Sequence, residues 1–157
     1  MEVYVADTLW ASERIWGLRR NCLEALRVID PTVEGGDFVV PSTAIPDMME
    51  FIRSLADEYR VEIPCAGHVA DGNIHPHPLK PDDRSDDDWN SQRHELLSRI
   101  AMKAVEYGGA VSGEHGVGFL KNDILAQSKG DELRAMKAIK GALDPYGILN
   151  PGKLFSD

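Results

Sequence analysis

Gly67-His68-Val69-Ala70-Asp71-Gly72-Asn73-Ile74-His75 decides how this chain folds. The run from Val61 to His68 is apolar, Asp71-Gly72 is a turn signal, and a second extended run follows from Ile74 to Leu79, a pattern that predicts a β-hairpin. A two-residue turn at Asp71-Gly72 sets Ala70 opposite Asn73, Val69 opposite Ile74 and His68 opposite His75. Directly opposed side chains have Cβ atoms about 4.5–5.5 Å apart, a separation at which two imidazoles can hold one metal ion. The plain alternative is a pair of surface histidines on a hairpin. His77 faces the same side, as an assistant or a bystander.

Outward from the hairpin, helices dominate. Ile45-Pro46-Asp47 opens a helix with proline at its first position, where a missing N–H costs nothing, and Met48, Met49, Ile52, Leu55, Ala56 and Tyr59 form its buried stripe. Asp37-Phe38-Val39-Val40-Pro41 reads as a short strand or extended segment. Before it, Leu9, Ile15, Trp16, Cys22, Leu23, Leu26 and Ile29 recur at helical spacing, predicting one amphipathic helix from Thr8 to Asp30 that Pro31 ends. After the hairpin, Lys80 to Asp88 is an acidic exposed loop whose last aspartates suit the positive end of the next helix. That helix buries Leu96, Leu97, Ile100, Ala101, Ala104 and Val105, and Gly108-Gly109 closes it. A short strand Ala110-Val111-Ser112, helices over about 120–127 and 131–143, and a turn-rich tail complete the chain. The expected fold is α+β: a small, mainly antiparallel sheet packed with helices, in a single domain over residues 1–157, with no repeat and no linker.

Composition narrows the function. With 157 residues, 17 Lys+Arg against 26 Asp+Glu, and a net charge of −9, the chain has no cluster of positive charge to neutralise a phosphate backbone or an anionic bilayer. Nucleic acid and membrane are excluded as expected partners. No apolar run approaches the roughly 20 residues of a membrane-spanning helix, and the first residues lack the basic and apolar regions of a signal peptide, so the expected location is cytoplasmic. Cys22 and Cys65 fit no metal spacing and are expected to be reduced, buried apolar side chains.

A second constellation is Gly113-Glu114-His115-Gly116-Val117-Gly118. Its glycines allow close approach of backbone to a ligand, and Glu114 completes a His, His, carboxylate set with His68 and His75. Such N/O ligation suits Zn, Mn or Fe better than Ca or Mg. His115 sets a proton acceptor beside that set. The alternative is a glycine-rich helix entry with solvated Glu and His. The order of glycines is not that of the dinucleotide fingerprint, and His94-Glu95-Leu96-Leu97-Ser98 has serine where a metalloprotease needs its second histidine. A metal-dependent hydrolase with His115 as base is compatible with the loop alone. By themselves, Asn150-Pro151-Gly152 is a turn and Arg19 a solvated helix charge.

Together, residues 67–75, residues 111–118 and the tail Leu143-Asp144-Pro145-Tyr146-Gly147-Ile148-Leu149-Asn150-Pro151-Gly152-Lys153 resemble the C-terminal domain of FAD-linked oxidases of the vanillyl-alcohol-oxidase type. Ile15-Trp16-Gly17-Leu18-Arg19 and Asp37 to Pro41 are similar to further segments of that family, so the likeness runs from about residue 12 to 155. The resemblance implies a cap domain covering FAD, which is mostly held by a separate flavin-binding domain or subunit. It also implies oxidation of a small 2-hydroxy acid, of the D-lactate or glycolate type, to the 2-oxo acid. The family's divalent metal would be bound by His68, His75 and Glu114, with His115 as general base. Arg19 would meet the substrate carboxylate, and Asn150 would lie in the stretch that approaches the flavin.

Three positions depart from the family pattern. Ala70 stands where a glycine is usual, His77 where some members have an asparagine, and Gly35 where some members have a lysine. From the length, the flavin-binding domain and the first half of the cap are expected to lie outside this chain, so that a partner chain or a homo-oligomer covers an exposed apolar face. The competing reading is a stand-alone module that binds metal and hydroxy acid without redox turnover.

Overall fold

Alternation of side chains along two short strands divides the protein into a core face and a polar face. The computed structural model describes residues 5–128 and 130–155, and the chain forms two compact units, one ending at Glu34 and one beginning at Gly35. In the second unit, β1 (Phe38–Val39) and β2 (Cys65–His68) flank the central β3 (Asn73–Pro76), both antiparallel to it. Phe38 pairs with Ile74 and Val39 with Asn73. Phe38 and Ile74 enter the apolar core, so Val39, Asn73 and His75 belong to the opposite face. The α+β expectation holds, with an entirely antiparallel three-stranded sheet.

Two helices fill the core side. α3 (Ile45–Tyr59) begins with Pro46 and buries Met48, Ile52 and Leu55, while α4 (Asp86–Glu106) buries Trp89, Leu96, Ile100, Ala101 and Ala104. Ser85 caps α4 by accepting the Asp88 N–H at 3.2 Å, and Asp86, Asp87 and Asp88 complement the dipole of its first turn. At its other end, Gly108 N–H donates to Val105 O and Gly109 N–H to Ala104 O, both at 2.9 Å. That pair of bonds is a Schellman closure, and it turns the chain back toward β1. Two shorter helices, α5 (Asn122–Ser128) and α6 (Asp131–Leu143), follow.

The hairpin departs from the expected turn. Cys65 pairs with Pro76, Ala66 with His75, Gly67 with Ile74 and His68 with Asn73, because Val69–Asp71 form a 3-10 turn ahead of Gly72. Four residues link the strands instead of two. Gly72 takes φ +72°, and a Cβ there would lie 1.8 Å from the Val40 carbonyl oxygen, whereas Val40 N–H donates to Gly72 O at 3.0 Å. The close approach of β1 to the turn selects glycine and with it the longer connection. The resulting shift of register is even, so His68 and His75 still share a face.

Three other expectations are corrected. In the first unit, α1 (Leu9–Arg20) and α2 (Cys22–Ile29) replace one continuous helix, because Asn21 leaves helical geometry at φ −97°, ψ 5° while its side-chain amide bonds back to Gly17 O at 2.9 Å. Ala110 makes an isolated bridge to Val39 and no strand. Cys22 is exposed, and Cys65 is partly buried with a thiol pKa pushed up to about 11 by burial.

Two positive-φ positions test this backbone. Gly72→Ala is expected to destabilise the protein by more than ~1 kcal/mol. Arg60, left-handed at φ 53° just past α3, is expected to gain ~0.5–1 kcal/mol as Arg60→Gly. Urea denaturation of both variants beside wild type measures these opposite signs.

Candidate metal centre

Four elements converge on the polar face of the sheet: the end of β1, β2, β3, and the loop that follows the Ala110 bridge. Asp37 lies immediately before β1 and its side chain is completely buried. Its Oδ2 accepts hydrogen bonds from Ser112 Oγ (2.9 Å) and from the backbone N–H groups of Gly113 (2.9 Å), Glu114 (3.0 Å) and His115 (2.8 Å). A Cβ on Gly113 would come within 2.8 Å of Asp37 Oδ1 and of Asn73 Nδ2, so the loop can sit this low only with glycine there. Burial raises the Asp37 pKa, but four donors outweigh it, led by His115 N–H, and hold the carboxyl at about 2.

The anchored loop presents Glu114 to the hairpin. Glu114 Oε1 lies 3.2 Å from His68 Nε2 and 3.4 Å from His75 Nε2. Metal bonds of about 2.0–2.1 Å at a tetrahedral angle set neighbouring donor atoms roughly 3.3 Å apart, so the three atoms fit a single ion. His68, His75 and Glu114 form one of two donor groups among the described residues; Asp37, His75 and His115 form the other. An open pocket of about 250 Å³ lies against His68 and Glu114, with Val39, Asp71 and Asn73 in its wall, leaving room for a further ligand. A catalytic metal site needs such an open position.

His115 completes the cluster. Its ring stacks on His75 with centroids 5.1 Å apart and planes 14° from parallel, its Nε2 is 3.9 Å from Glu114 Oε1, and the side chain is largely exposed. His68 meets His75 edge to face at 5.5 Å. Thus His68, His75, Glu114 and His115 come together as expected. His77 stands apart from both donor groups: its ring fills the space over Gly35, where a Cβ would approach to 2.6 Å. Burial lowers its pKa and keeps it neutral at neutral pH. Gly35 and His77 are therefore packed against each other.

Arg19 and Asn150 belong to other elements. Arg19 is on α1 of the first unit, its guanidinium 5.7 Å from the Trp16 ring centroid. Asn150 has φ 50° in the tail, where Asp144 accepts the N–H groups of Ile148 and Leu149, both at 3.0 Å, and Lys140 donates to Leu149 O at 2.7 Å. It lines an apolar groove of about 610 Å³ with Met136, Ile139, Leu143 and Leu149, a groove sharing no lining residue with the pocket at Glu114.

Asp37 and Lys121 are the residues the sequence reading missed. In the sequence Asp37 is only the first residue of a short extended run, although an acid abutting the apolar run Phe38-Val39-Val40 must be either solvated or satisfied by donors. Lys121 Nζ is buried with no hydrogen-bond partner; burial lowers its pKa and the Asp37 charge raises it. No local signal marks it.

The FAD linked oxidases, C-terminal domain, family model matches residues 1–154. The chain belongs to this family. Among curated relatives of this FAD-linked oxidase domain, the glycolate oxidase subunit GlcD of Bacillus subtilis (strain 168) is 40% identical over 157 residues, covering 99% of this chain and 33% of the relative. The D-lactate dehydrogenase of Anaerostipes hadrus is 35% identical over 155 residues, covering 98% and 32%. The D-2-hydroxyglutarate dehydrogenase of Stutzerimonas stutzeri (strain A1501) is 33% identical over 147 residues, covering 92% and 31%. The chain therefore spans about a third of the length of the curated relatives it matches.

Acid should expose the Asp37 anchor. Its folded pKa of about 2 lies below the ordinary 3.8, so the folded state binds fewer protons and stability rises with pH through this window. The contribution, about 2 kcal/mol, is complete above pH ~4 and is lost as the pH falls through about 2. Denaturation of metal-free protein is expected to show this acid limb in wild type and a flattened one in Asp37→Asn.

Proposed function

We propose that this chain is the substrate- and metal-binding portion of an FAD-dependent 2-hydroxyacid dehydrogenase of the D-lactate or glycolate type. The observation that carries the reading is the placement of Glu114 Oε1 within 3.4 Å of the Nε2 atoms of both His68 and His75, with His115 stacked alongside. Its family membership and the names of its relatives support the same chemistry. His68, His75 and Glu114 would hold a divalent Zn, Mn or Fe ion, which when bound supplies Lewis acidity toward an α-hydroxyl. FAD, carried chiefly by a flavin-binding domain or subunit, supplies the hydride acceptor when bound.

The chain's own residues do the rest. His115, exposed beside the donor set, takes the hydroxyl proton on its imidazole as the substrate becomes the 2-oxo acid. Stacking on His75 and the His115 N–H bond to Asp37 hold that imidazole over the site. Arg19 would bind the substrate carboxylate through its planar fork, offsetting the repulsion of an anion by a chain of net charge −9. Asn150 would face the flavin. The exposed Ile139, Leu143, Tyr146, Ile148 and Leu149 around it favour burial against the flavin-bearing part. Among the described residues no helix is long and apolar enough to cross a membrane.

Elemental mass spectrometry of wild type, His68→Ala and Glu114→Ala is the direct test. About one divalent metal per chain in wild type, lost in both variants, is the expected outcome, and a wild type that takes up no Zn, Mn or Fe would refute the metal assignment. With the flavin-bearing part supplied, His115→Gln is expected to slow D-lactate- or glycolate-dependent flavin bleaching by roughly 10²–10⁴-fold while keeping its metal. No bleaching with wild type under those conditions would favour the non-redox binding module.

A further inference from the structure

Two buried polar atoms beneath the donor set face each other unsatisfied. Asp37 Oδ1 and His75 Nδ1 are both fully buried, neither has a hydrogen-bond partner, and they stand 3.8 Å apart. The other oxygen of the same carboxylate is already occupied by four donors. His75 is the pivot of the cluster, since it alone belongs to both donor groups, and a neutral imidazole carries one proton on one of its two nitrogens. Whichever nitrogen carries it decides whether Nε2 donates to Glu114 or keeps its lone pair for a metal ion.

We propose that Asp37 is a positioning residue that fixes neutral His75 as the Nδ1–H tautomer through Oδ1, while its Oδ2 holds the Glu114-His115 loop, so that one carboxylate aims the metal donors before any ion binds. The competing acceptor is Glu114, at 3.4 Å from Nε2. Glu114 is half exposed, is solvated, and already meets His68 at 3.2 Å, whereas Asp37 is an ionised acceptor in a water-free setting, where its pull on an N–H is stronger. A ring nitrogen protonated toward a carboxylate is also the arrangement that orients metal-ligating histidines in general. The inference rests on the reading of His68, His75 and Glu114 as the metal ligands, but its first consequence concerns the metal-free protein.

That consequence is read by long-range 1H–15N correlation of the imidazoles in chelator-treated protein, about two pH units above the ordinary histidine value of ~6.5. Wild type is expected to show His75 as Nδ1–H. Asp37→Asn keeps an oxygen for the loop N–H groups but turns an amide donor toward His75, and is expected to switch it to Nε2–H. Ser112→Ala removes one bond to Oδ2 and leaves the Oδ1 contact in place, so its tautomer should match wild type. Titrated with Zn²⁺ alone, Asp37→Asn is expected to bind about 10–100-fold more weakly than wild type, and Ser112→Ala far closer to it.

A wild-type Nε2–H tautomer, or an unchanged tautomer in a folded Asp37→Asn, overturns the proposal. So does a Zn²⁺-type shift at His75 Nδ1, which would make Asp37 a ligand of the second donor group. If Asp37→Asn does not fold, the wild-type tautomer decides alone. Wild-type protein with Nδ1–H that fails to bind Zn²⁺ would refute the metal reading while leaving the role of Asp37 intact.

Discussion

A single buried carboxylate organises the functional half of this protein. Asp37 is removed from water at the start of β1, and an unpaired charge there would cost several kcal/mol. The residues that satisfy it, Ser112 to His115, come from more than seventy positions later in the chain. The anchor therefore converts a glycine-rich loop, which would otherwise sample many conformations, into a fixed support for Glu114 and His115. The hairpin contributes the other two donors through ordinary strand pleating, and the helices α3 and α4 hold the sheet from behind.

The tail repeats the device on a smaller scale. Asp144 accepts the N–H groups of Ile148 and Leu149 and pairs with Lys140, whose hydrogen bond, with those of the two N–H groups, holds its carboxyl below the usual range. In both places a short acidic side chain takes over the hydrogen bonding of a segment that has no regular structure. Segments that carry candidate chemistry, His115 in one and Asn150 in the other, are held in this way.

Much of this arrangement was legible from the residues. Helices α3 and α4 followed from the periodicity of their apolar positions and from Pro46 and Gly108-Gly109. The joint placement of His68 and His75 followed from strand alternation, and it survived a wrong turn because an even shift of register preserves the face. The turn itself was not legible, since what excludes the two-residue form is the approach of Val40 to Gly72, a contact between segments distant in sequence. Asn21 was equally opaque: a helix interrupted by one residue bonding back to Gly17 keeps the same apolar spacing on either side. Asp37 was hidden for the same reason as Val40, because the donors that justify its burial lie far along the chain.

The four donors on Asp37 Oδ2 also bear on how the protein opens. Amide protons usually exchange fastest in glycine-rich loops, but those of Gly113, Glu114 and His115 are sequestered by a carboxylate fixed to the central sheet. Releasing them requires withdrawing the loop from a buried anion or separating β1 from β3. The loop that carries Glu114 and His115 thus belongs with the central sheet in its protection from exchange, and its opening is tied to the unfolding of that sheet.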